Sequence, residues 1–205
     1  FKWIASVMAE FEKTGKRNYV FGYEESYGYN VETEVRDKDG VSAAAMCAEM
    51  TLYWRSKGKS LLDRLNDIFV DHGYFEDRAI SKGFPGASGG ETMKGLMARL
   101  RADGLTSIGG KKVVSIRDVK EGITYDPKTP EQKKKIALPS SNVLQFFLED
   151  GTVVSARPSG TEPKIKFYIS CPTPVSGKNV EAARKNAAAA LSAIDGEIRA
   201  ILEKA

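Results

Sequence analysis

The sequence predicts an α/β segment over residues 1–73, followed over residues 74–205 by an α+β domain in which two helices cover one face of an antiparallel sheet. Three observations predict this organisation. Apolar residues before residue 74 recur mostly at the spacing of amphipathic helices, with one short β-type run among them. Beyond residue 74, runs rich in β-branched and aromatic residues are separated by turn signals. Two helical patterns accompany those runs, which is typical of an α+β fold.

The first segment opens with a helix and a strand. Apolar side chains keep a helical spacing over residues 3–14, and Gly15 is placed to end that helix. The β-type run over residues 18–21 predicts a short strand that stops at Gly22. The loop over residues 22–29 therefore follows a strand, and ligands of open α/β sheets collect at the carboxyl ends of strands.

Two further helices complete the first segment. Asp39 is placed to cap a helix that ends at Gly58, and Ser60 is placed to cap the next one. The second of these helices is expected to bury one apolar side, made of Leu61, Leu62, Leu65, Ile68 and Phe69. One strand does not form a sheet, and the sequence opens without an initiator Met. We therefore expect a piece of a longer protein whose partner strands lie upstream.

The second domain begins with a weakly alternating run over residues 75–80. Ser88 and Glu91 then have the spacing of a capping box and predict a helix over residues 89–103. Its inward side chains are expected to be Met93, Leu96, Met97 and Leu100. Strand candidates follow at residues 111–118, 142–149, 152–157 and 164–170.

Turn and loop signals connect these strands. Asp150-Gly151, between the second and third candidates, is a strong hairpin signal. Residues 121–141 hold three prolines and a run of lysines, and are expected to form a long loop. An Ala-rich helix over residues 180–202 ends the domain.

Composition limits the expected partners. The net charge of +4 is mild and no basic stripe with interleaved aromatic residues is present, so nucleic acid is not an expected partner. A membrane is not expected either, because no apolar run approaches the roughly 18 residues of a membrane helix. Cys47 and Cys171 are far apart and His72 is the only histidine, which argues against a disulfide framework or a zinc site. A reducing cytoplasm fits this use of cysteine best.

An anion-binding pattern occupies the connection between the last two strand candidates. Residues 157–163 read Arg-Pro-Ser-Gly-Thr-Glu-Pro. Arginine meets phosphate with a planar, bidentate fork, and serine and threonine add hydroxyl donors. Gly160 lets backbone N–H groups approach an anion. Glu162 would repel phosphate unless it points away or pairs with a lysine, and the alternative is a plain β-hairpin connection.

A second polar pattern lies in the loop over residues 22–29, which reads Gly-Tyr-Glu-Glu-Ser-Tyr-Gly-Tyr. Carboxylates accept paired hydrogen bonds from vicinal hydroxyls, and tyrosine rings offer apolar faces to sugar C–H groups. Paired acids also serve acid/base catalysis or bind a hard cation, although two neighbours supply few of the ligands that a cation needs. An exposed acidic loop without a ligand is the remaining alternative.

Both motifs, in this order, resemble those of the α-D-phosphohexomutase superfamily, the phosphoglucomutases, phosphomannomutases and their relatives. Residues 23–28 are similar to the sugar-binding loop of the family, and residues 157–163 to its phosphate-binding loop. Residues 36–40 resemble the Lys-Asp-Gly segment that follows the sugar loop, and residues 1–4 the end of a Thr-Gly-x-Lys stretch. The resemblance spans nearly the whole chain and is strongest to the bacterial phosphoglucomutase branch that includes phosphopentomutases.

The resemblance implies that residues 1–73 are the C-terminal part of the α/β third domain. Residues 74–205 would be the fourth domain, an antiparallel sheet with two helices that is similar to the TATA-box-binding protein. The residues implied to bind sugar hydroxyls are Glu24, Glu25 and Ser26. Those implied to bind phosphate are Arg157, Ser159, Gly160 and Thr161, with added charge from Lys38 and, more weakly, Lys2. Many members have a histidine where this chain has Gly28 or Tyr29, so the role of that histidine stays open.

The resemblance also implies a function, that of the C-terminal fragment of a sugar-phosphate mutase of the phosphoglucomutase type. The family moves a phosphoryl group between C1 and C6 of a hexose through a bisphosphorylated sugar. An active-site phosphoserine carries the group, and Mg²⁺ in an Asp-rich loop neutralises charge. Neither loop occurs in these 205 residues, so no catalytic or metal-binding residue is assigned.

We therefore expect the chain alone to bind sugar phosphates without turning them over, to bind no cofactor by itself, and to need missing N-terminal domains for catalysis. The parent enzyme is expected to be cytoplasmic and to use Mg²⁺ and an activator of the glucose 1,6-bisphosphate type. The alternatives are a phosphomannomutase, a phosphopentomutase, or a non-catalytic sugar-phosphate binding module.

Overall fold

The computed structural model of the protein describes residues 1–24 and 27–204. The chain divides into two compact units, Phe1–Asp67 and Ile68–Ala205. The domain boundary that the sequence suggests, between residues 73 and 74, stays a prediction. None of the described helices is both long enough and apolar enough to cross a membrane.

The first unit begins with helix α1 (Lys2–Thr14), as the sequence predicts. Gly15 ends this helix in the left-handed region, at φ 62°, and donates its N–H to the carbonyl of Phe11 at 2.8 Å. A short antiparallel hairpin follows, made of strands β1 (Gly22–Glu24) and β2 (Gly28–Asn30).

This hairpin differs from the prediction for the region. The strand expected over residues 18–21 is wrong, and so is the expectation of a lone strand before a loop, because pairing begins at Gly22, opposite Asn30. A strand needs a hydrogen-bonded partner, and β2 is the partner here. β propensity does not locate such pairing by itself, since propensity depends on the neighbours that the strand finds.

Helix α2 (Gly40–Ser56) starts at the predicted cap. The carboxylate of Asp39 accepts hydrogen bonds from the N–H groups of Val41 and Ser42, at 3.0 and 3.2 Å. Hydrogen bonds from Ser42 and Val41 lower the pKa of the Asp39 carboxyl group, because they favour its charged form. The cap therefore fixes the start of α2 directly after Lys38.

Helix α3 (Leu61–His72) is capped reciprocally, as a serine followed three positions later by an acid predicts. The hydroxyl oxygen of Ser60 accepts from Asp63 N–H at 3.1 Å, and the Asp63 carboxylate accepts from Ser60 N–H at 2.8 Å. The buried apolar side expected of this helix is wrong, because none of its described residues is buried and Leu62 is 71% exposed. Apolar spacing predicts a helix, but burial also needs an element packed against that side.

The second unit is an α+β domain. Its antiparallel strands are β3 (Tyr74–Gly83), β4 (Ser107–Ile108), β5 (Lys111–Asp118), β6 (Ile123–Tyr125), β7 (Lys134–Lys135), β8 (Leu144–Leu148), β9 (Val153–Pro158) and β10 (Lys164–Thr173). Its helices are α4 (Gly89–Asp103) and α5 (Val180–Glu203). The sheet order is β3-β10-β9-β8-β5-β6-β7, and β4 pairs with β5 at the side. The four predicted strands and both predicted helices are confirmed.

Both helices pack on the same face of this sheet, as predicted. Alternate residues of a strand point to opposite faces, and one set of them is buried. The core joins that set to the inward side chains of both helices: Leu144, Phe146, Val154, Ala156, Ile165, Phe167, Ile169, Leu96, Met97, Leu100, Leu191, Ile194 and Ile198. The other set lies on the opposite face of the sheet, which we call the outer face.

Two local predictions for the second unit are wrong. Residues 121–141 are not a continuous loop, because they contain β6 and β7, whose pairing is too short to leave a periodic signal in the sequence. Ser88 forms no side-chain cap, although the capping-box spacing is present. Its backbone is helical, with φ −82° and ψ −7°, so its carbonyl rather than its hydroxyl accepts from Glu91 N–H at 3.0 Å.

The core of the second unit predicts a large stability difference between neighbouring positions of α5. Leu191 is fully buried and Ser192 is exposed. Leu191→Ala should lower the free energy of unfolding by about 2–5 kcal/mol, because it removes buried methyl groups and leaves a cavity. Ser192→Ala should change it by less than about 0.5 kcal/mol. Urea unfolding followed by circular dichroism measures both, and equal effects would contradict this description of the core.

Candidate functional site

The predicted phosphate-binding loop connects β9 to β10 at one end of the sheet. The register pairs Arg157 with Lys166 and Pro158 with Ile165. Residues paired across a ladder project on the same face, so Arg157 and Lys166 lie together. Ala156 and Ile165 belong to the core, which places Arg157 and Lys166 on the outer face.

Hydrogen bonds hold the loop in a compact shape. Ser159 N–H donates to the carbonyl of Lys164 at 2.7 Å, and Lys164 N–H donates to the carbonyl of Glu162 at 2.8 Å. The hydroxyl oxygens of Ser159 and Thr161 are 3.5 Å apart, and Thr161 N–H donates to the Ser159 hydroxyl at 3.4 Å. Both hydroxyl groups therefore lie at one point of the loop. A Cβ added at Gly160 would meet no atom within 4 Å, so crowding within the protein does not require glycine there.

The loop and the outer face of β10 enclose a cleft of about 430 Å³. It is lined by Arg157, Pro158, Ser159, Gly160, Thr161, Glu162, Lys164, Lys166 and Tyr168. The structure thus brings the four predicted phosphate-binding residues into one cleft. The volume falls in the range of small-molecule sites, roughly 300–1,000 Å³, and exceeds what a phosphate group needs. The cleft has room for part of the molecule that carries the phosphate.

Sequence reasoning missed three residues of this cleft, Lys164, Lys166 and Tyr168. Their alternation along β10 was the available signal, because it puts all three on the same face as Arg157. Among the described lining residues, three cations then face one carboxylate, that of Glu162. This excess of positive charge favours an anionic ligand, because the ammonium groups of the lysines add to the charge of the arginine guanidinium group.

The predicted sugar loop lies at the turn of the β1–β2 hairpin. Glu24 ends β1 opposite Gly28, while Glu25 and Ser26 fall outside the described residues. A Cβ added at Gly28 would lie 3.0 Å from the Glu24 carboxylate oxygen and 3.1 Å from Lys38 Cδ. A ring carbon of Phe1 lies at 3.1 Å from the same point, so the side chains of Glu24, Lys38 and Phe1 all border the space over Gly28.

Lys2 is the other residue of this region that is predicted to add positive charge. The ammonium group of Lys2 lies 5.4 Å from the centre of the Trp3 ring, and no ion pair joins Lys2 to a residue within the described ranges. The Glu24 carboxylate contacts the amino group of Phe1. Within the described residues the ion pairs of Glu24 and Lys38 are thus those with Phe1 and Asp37, and Lys2 is paired with neither Glu24 nor Lys38.

Lys38 carries a stabilised positive charge. Its ammonium group donates a hydrogen bond to the Asp37 carboxylate at 2.9 Å and lies 5.6 Å from the centre of the Phe1 ring. The hydrogen bond to Asp37, the charge of Asp37 and the charge of Glu24 raise the pKa of Lys38. The same hydrogen bond, with a second from Lys38 N–H, lowers the pKa of Asp37. Lys38 therefore offers an ammonium group to an anionic ligand at neutral pH.

No group of three or more His, Cys, Asp or Glu side chains within residues 1–24 and 27–204 is arranged to hold a metal ion. Magnesium needs several oxygen ligands in near-octahedral positions. No described residue is therefore assigned as a metal ligand, and no step of the chemistry of this chain is assigned to a metal.

Two protein-family models match the chain. The model for "Phosphoglucomutase/phosphomannomutase, alpha/beta/alpha domain III" matches residues 1–71. The model for "Phosphoglucomutase/phosphomannomutase, C-terminal domain" matches residues 109–187. The hairpin with Glu24 lies within the first match, and the cleft with Arg157 lies within the second.

Similar proteins carry the same family name. The phosphoglucomutase of Staphylococcus haemolyticus is 36% identical over 170 residues, which are 83% of this chain and 30% of that protein. The phosphoglucomutase of Staphylococcus aureus strain USA300 is 35% identical over 176 residues, which are 85% of this chain and 31% of that protein. The chain thus spans about 30% of the length of the curated relatives that it matches.

One solved structure is similar in fold, the open form of the exocytosis-sensitive phosphoprotein pp63/parafusin, a phosphoglucomutase from Paramecium. The TM-score is 0.52 at 15% identity, and the match covers 97% of this chain and 32% of that one. At this identity the likeness concerns the fold alone.

The side chains that border Gly28 predict the effect of adding a methyl group there. Gly28→Ala should displace the side chains of Glu24 and Lys38, because the new Cβ would lie at 3.0–3.1 Å from their outer atoms. Glu24 and Lys38 are flexible side chains, and the Phe1 ring carbon at 3.1 Å must also shift, so the loss of stability should be about 1 kcal/mol. Side-chain NMR signals of Lys38 and Glu24 report the displacement. Gly40→Ala, with no atom within 4 Å of the added carbon, is the control and should leave them in place.

The charge of Lys38 yields a second prediction. Asp37→Asn should lower the pKa of Lys38, because it removes the carboxylate that stabilises the ammonium form. Glu24→Gln should lower it by less, since the charge of Glu24 is a smaller cause of the shift. Titration of the Lys38 side chain by ¹³C NMR measures both changes. Asp67→Asn, which alters an aspartate paired with Lys59, is the control, and a Lys38 pKa that stays constant or rises in Asp37→Asn would contradict the geometry.

Proposed function

We propose that this chain, which belongs to the α-D-phosphohexomutase superfamily and carries its domain III and C-terminal domain, supplies sugar and phosphate recognition to a phosphoglucomutase. Such an enzyme moves a phosphoryl group between C1 and C6 of glucose through a bisphosphorylated sugar. One observation carries the proposal: the cleft that gathers Arg157, the hydroxyl groups of Ser159 and Thr161, and two lysines around one space. The names of the similar proteins support glucose as the sugar.

The phosphate end of the ligand is assigned to the cleft of the second unit. Arg157 would bind two phosphate oxygens with its planar fork, which lysine cannot do. The paired hydroxyl groups of Ser159 and Thr161 would donate to a third oxygen, and backbone N–H groups at Gly160 would approach the same anion. Lys166 would add charge from the floor of the cleft. These contacts recognise a phosphate group without reading the sugar that carries it.

The sugar end is assigned to the hairpin of the first unit. The Glu24 carboxylate would accept hydrogen bonds from vicinal hydroxyl groups, and Lys38 would place its charge near the sugar phosphate. Glu25 and Ser26 are proposed as further sugar ligands on the strength of their motif. Lys2 is proposed as a weaker source of charge.

Transfer of the phosphoryl group is not assigned to this chain. That step needs a phosphorylated nucleophile and a metal ion that neutralises charge, and neither role is assigned to a described residue of this chain. We propose that the whole enzyme uses Mg²⁺, is activated by a bisphosphate of the glucose 1,6-bisphosphate type, and is cytoplasmic. The chain by itself would bind sugar phosphates and leave them unchanged.

Substitution of the arginine tests the phosphate assignment. Arg157→Lys should weaken binding of glucose 1-phosphate about ten- to a hundredfold, because it keeps the charge but loses one charge-assisted hydrogen bond of roughly 1.5–3 kcal/mol. Amide NMR titration of this chain measures the affinity, and the signals of residues 157–162 should move in the unmodified protein. Arg199→Lys on α5, whose guanidinium pairs with Asp195, is the matched control and should bind normally.

The same titration distinguishes the alternatives. Stronger binding of mannose 1-phosphate or ribose 1-phosphate than of glucose 1-phosphate would replace the sugar in the proposal with that of a phosphomannomutase or a phosphopentomutase. Equal affinities for all three, with shifts confined to residues 157–162, would support a phosphate site without sugar selectivity in this chain. An unchanged affinity in Arg157→Lys would overturn the assignment of the cleft.

A further inference from the structure

The hairpin of the first unit contains a fully buried asparagine. Asn30 ends β2 and has 0% of its surface exposed. Its side-chain nitrogen donates to the backbone carbonyls of Val35 and Asp37, at 2.8 and 2.9 Å. Its side-chain oxygen accepts from Glu32 N–H at 3.3 Å. One amide group thus satisfies three backbone groups of the segment that follows it.

The segment over residues 31–37 is folded around this side chain. Its far end is fixed as well, since Asp39 N–H donates to the carbonyl of Tyr29 at 2.8 Å. Lys38 lies between these attachments, because the residue before it is bound through its carbonyl and the residue after it through its N–H. The backbone of Lys38 is therefore held from both sides, while its side chain remains 56% exposed.

We propose that Asn30 is the positioning residue that places Lys38 beside Glu24. Both side chains border the space over Gly28 only if the backbone of Lys38 lies where it does, and Asn30 makes hydrogen bonds that set this position. The role assigned to Lys38 in binding a sugar phosphate rests on the proposed function. The placement of Lys38 by Asn30 does not rest on it.

The chemistry of the side chain fits this role. Two carbonyls need donors and one N–H needs an acceptor, and a side-chain amide is the short neutral group that offers both. An aspartate would set a carboxylate against two carbonyls, and a leucine would leave three backbone groups without these partners. Exposed asparagines of the chain have no such arrangement to satisfy, and Asn66 on α3 is one of them.

The first test needs no ligand. In the unmodified chain, Glu24→Gln should lower the pKa of Lys38, because the two side chains are close. In the Asn30→Leu variant, Glu24→Gln should lower the pKa of Lys38 by less than half as much, because Lys38 is no longer held beside Glu24. Asn66→Leu is the matched control and should leave the full response. A folded Asn30→Leu variant with an undiminished response would overturn the proposal, because a residue that only stabilises the fold would leave the placement of Lys38 intact.

The second test uses glucose 1-phosphate and a double-mutant cycle. Asn30→Leu and Lys38→Met should each weaken binding, and adding Asn30→Leu to Lys38→Met should change the affinity by no more than about 2-fold. Full additivity of the two losses would show that Asn30 acts on the ligand by another route. Absence of glucose 1-phosphate binding in the unmodified chain would count against the proposed function, and the ligand-free test would still decide the placement of Lys38.

A measurement on the unmodified chain covers the case in which Asn30→Leu does not fold. NMR couplings through hydrogen bonds should connect the side-chain amide nitrogen of Asn30 to the carbonyl carbons of Val35 and Asp37. Both couplings together support the arrangement. Their absence, with rapid exchange of the side-chain amide protons, would overturn it.

Discussion

The pairing of β10 with two neighbours is the constraint on which the second unit depends. This strand is bound along its length to β3 on one side and to β9 on the other. The register buries Ile165, Phe167 and Ile169 and turns the alternate residues outward. A slip of one residue would exchange the two sets and lose the core and the cleft together. The apolar pattern that stabilises the sheet therefore also places Arg157 and Lys166 side by side on its outer face.

The first unit places its candidate residues by hydrogen bonds rather than by burial. Within the described part of α2 and α3 no residue is buried, whereas Asn30 and the Asp39 cap bind defined backbone groups. Segments with few buried apolar contacts belong to the less stable parts of proteins and open readily. The position of Lys38 is thus sensitive to single polar substitutions, while the cleft of the second unit is protected by the cooperativity of a packed core.

The sequence predicted what depends on local periodicity and on short motifs. The helices, the four longer strands and the Asp150-Gly151 turn follow from apolar spacing and turn chemistry, and the two loop motifs led to a family that the comparisons confirm. The sequence did not predict β6 and β7, which are too short for a period, or the start of pairing at Gly22, which depends on the partner strand. The alternation along β10 indicated the face of Lys166 and Tyr168, but only the register with β9 shows that Arg157 shares that face. The Asn30 contacts join residues through the backbone and leave no motif.

Under the proposed function, the two candidate sites would divide recognition into a general part and a selective part. The cleft around Arg157 uses a guanidinium fork, hydroxyl groups and lysines, which are complementary to a phosphate group on any carbon of any sugar. A mutase of the proposed kind must accept a sugar that carries phosphate at C1 and one that carries it at C6, so contacts with the sugar itself would be a hindrance there. Selectivity then has to come from groups that read the hydroxyls, such as Glu24, whose surroundings are set by Lys38 and Asn30. Under the proposed function, the cleft for phosphate would lie on a sheet with a packed core and the group for sugar on a hairpin held by a few hydrogen bonds.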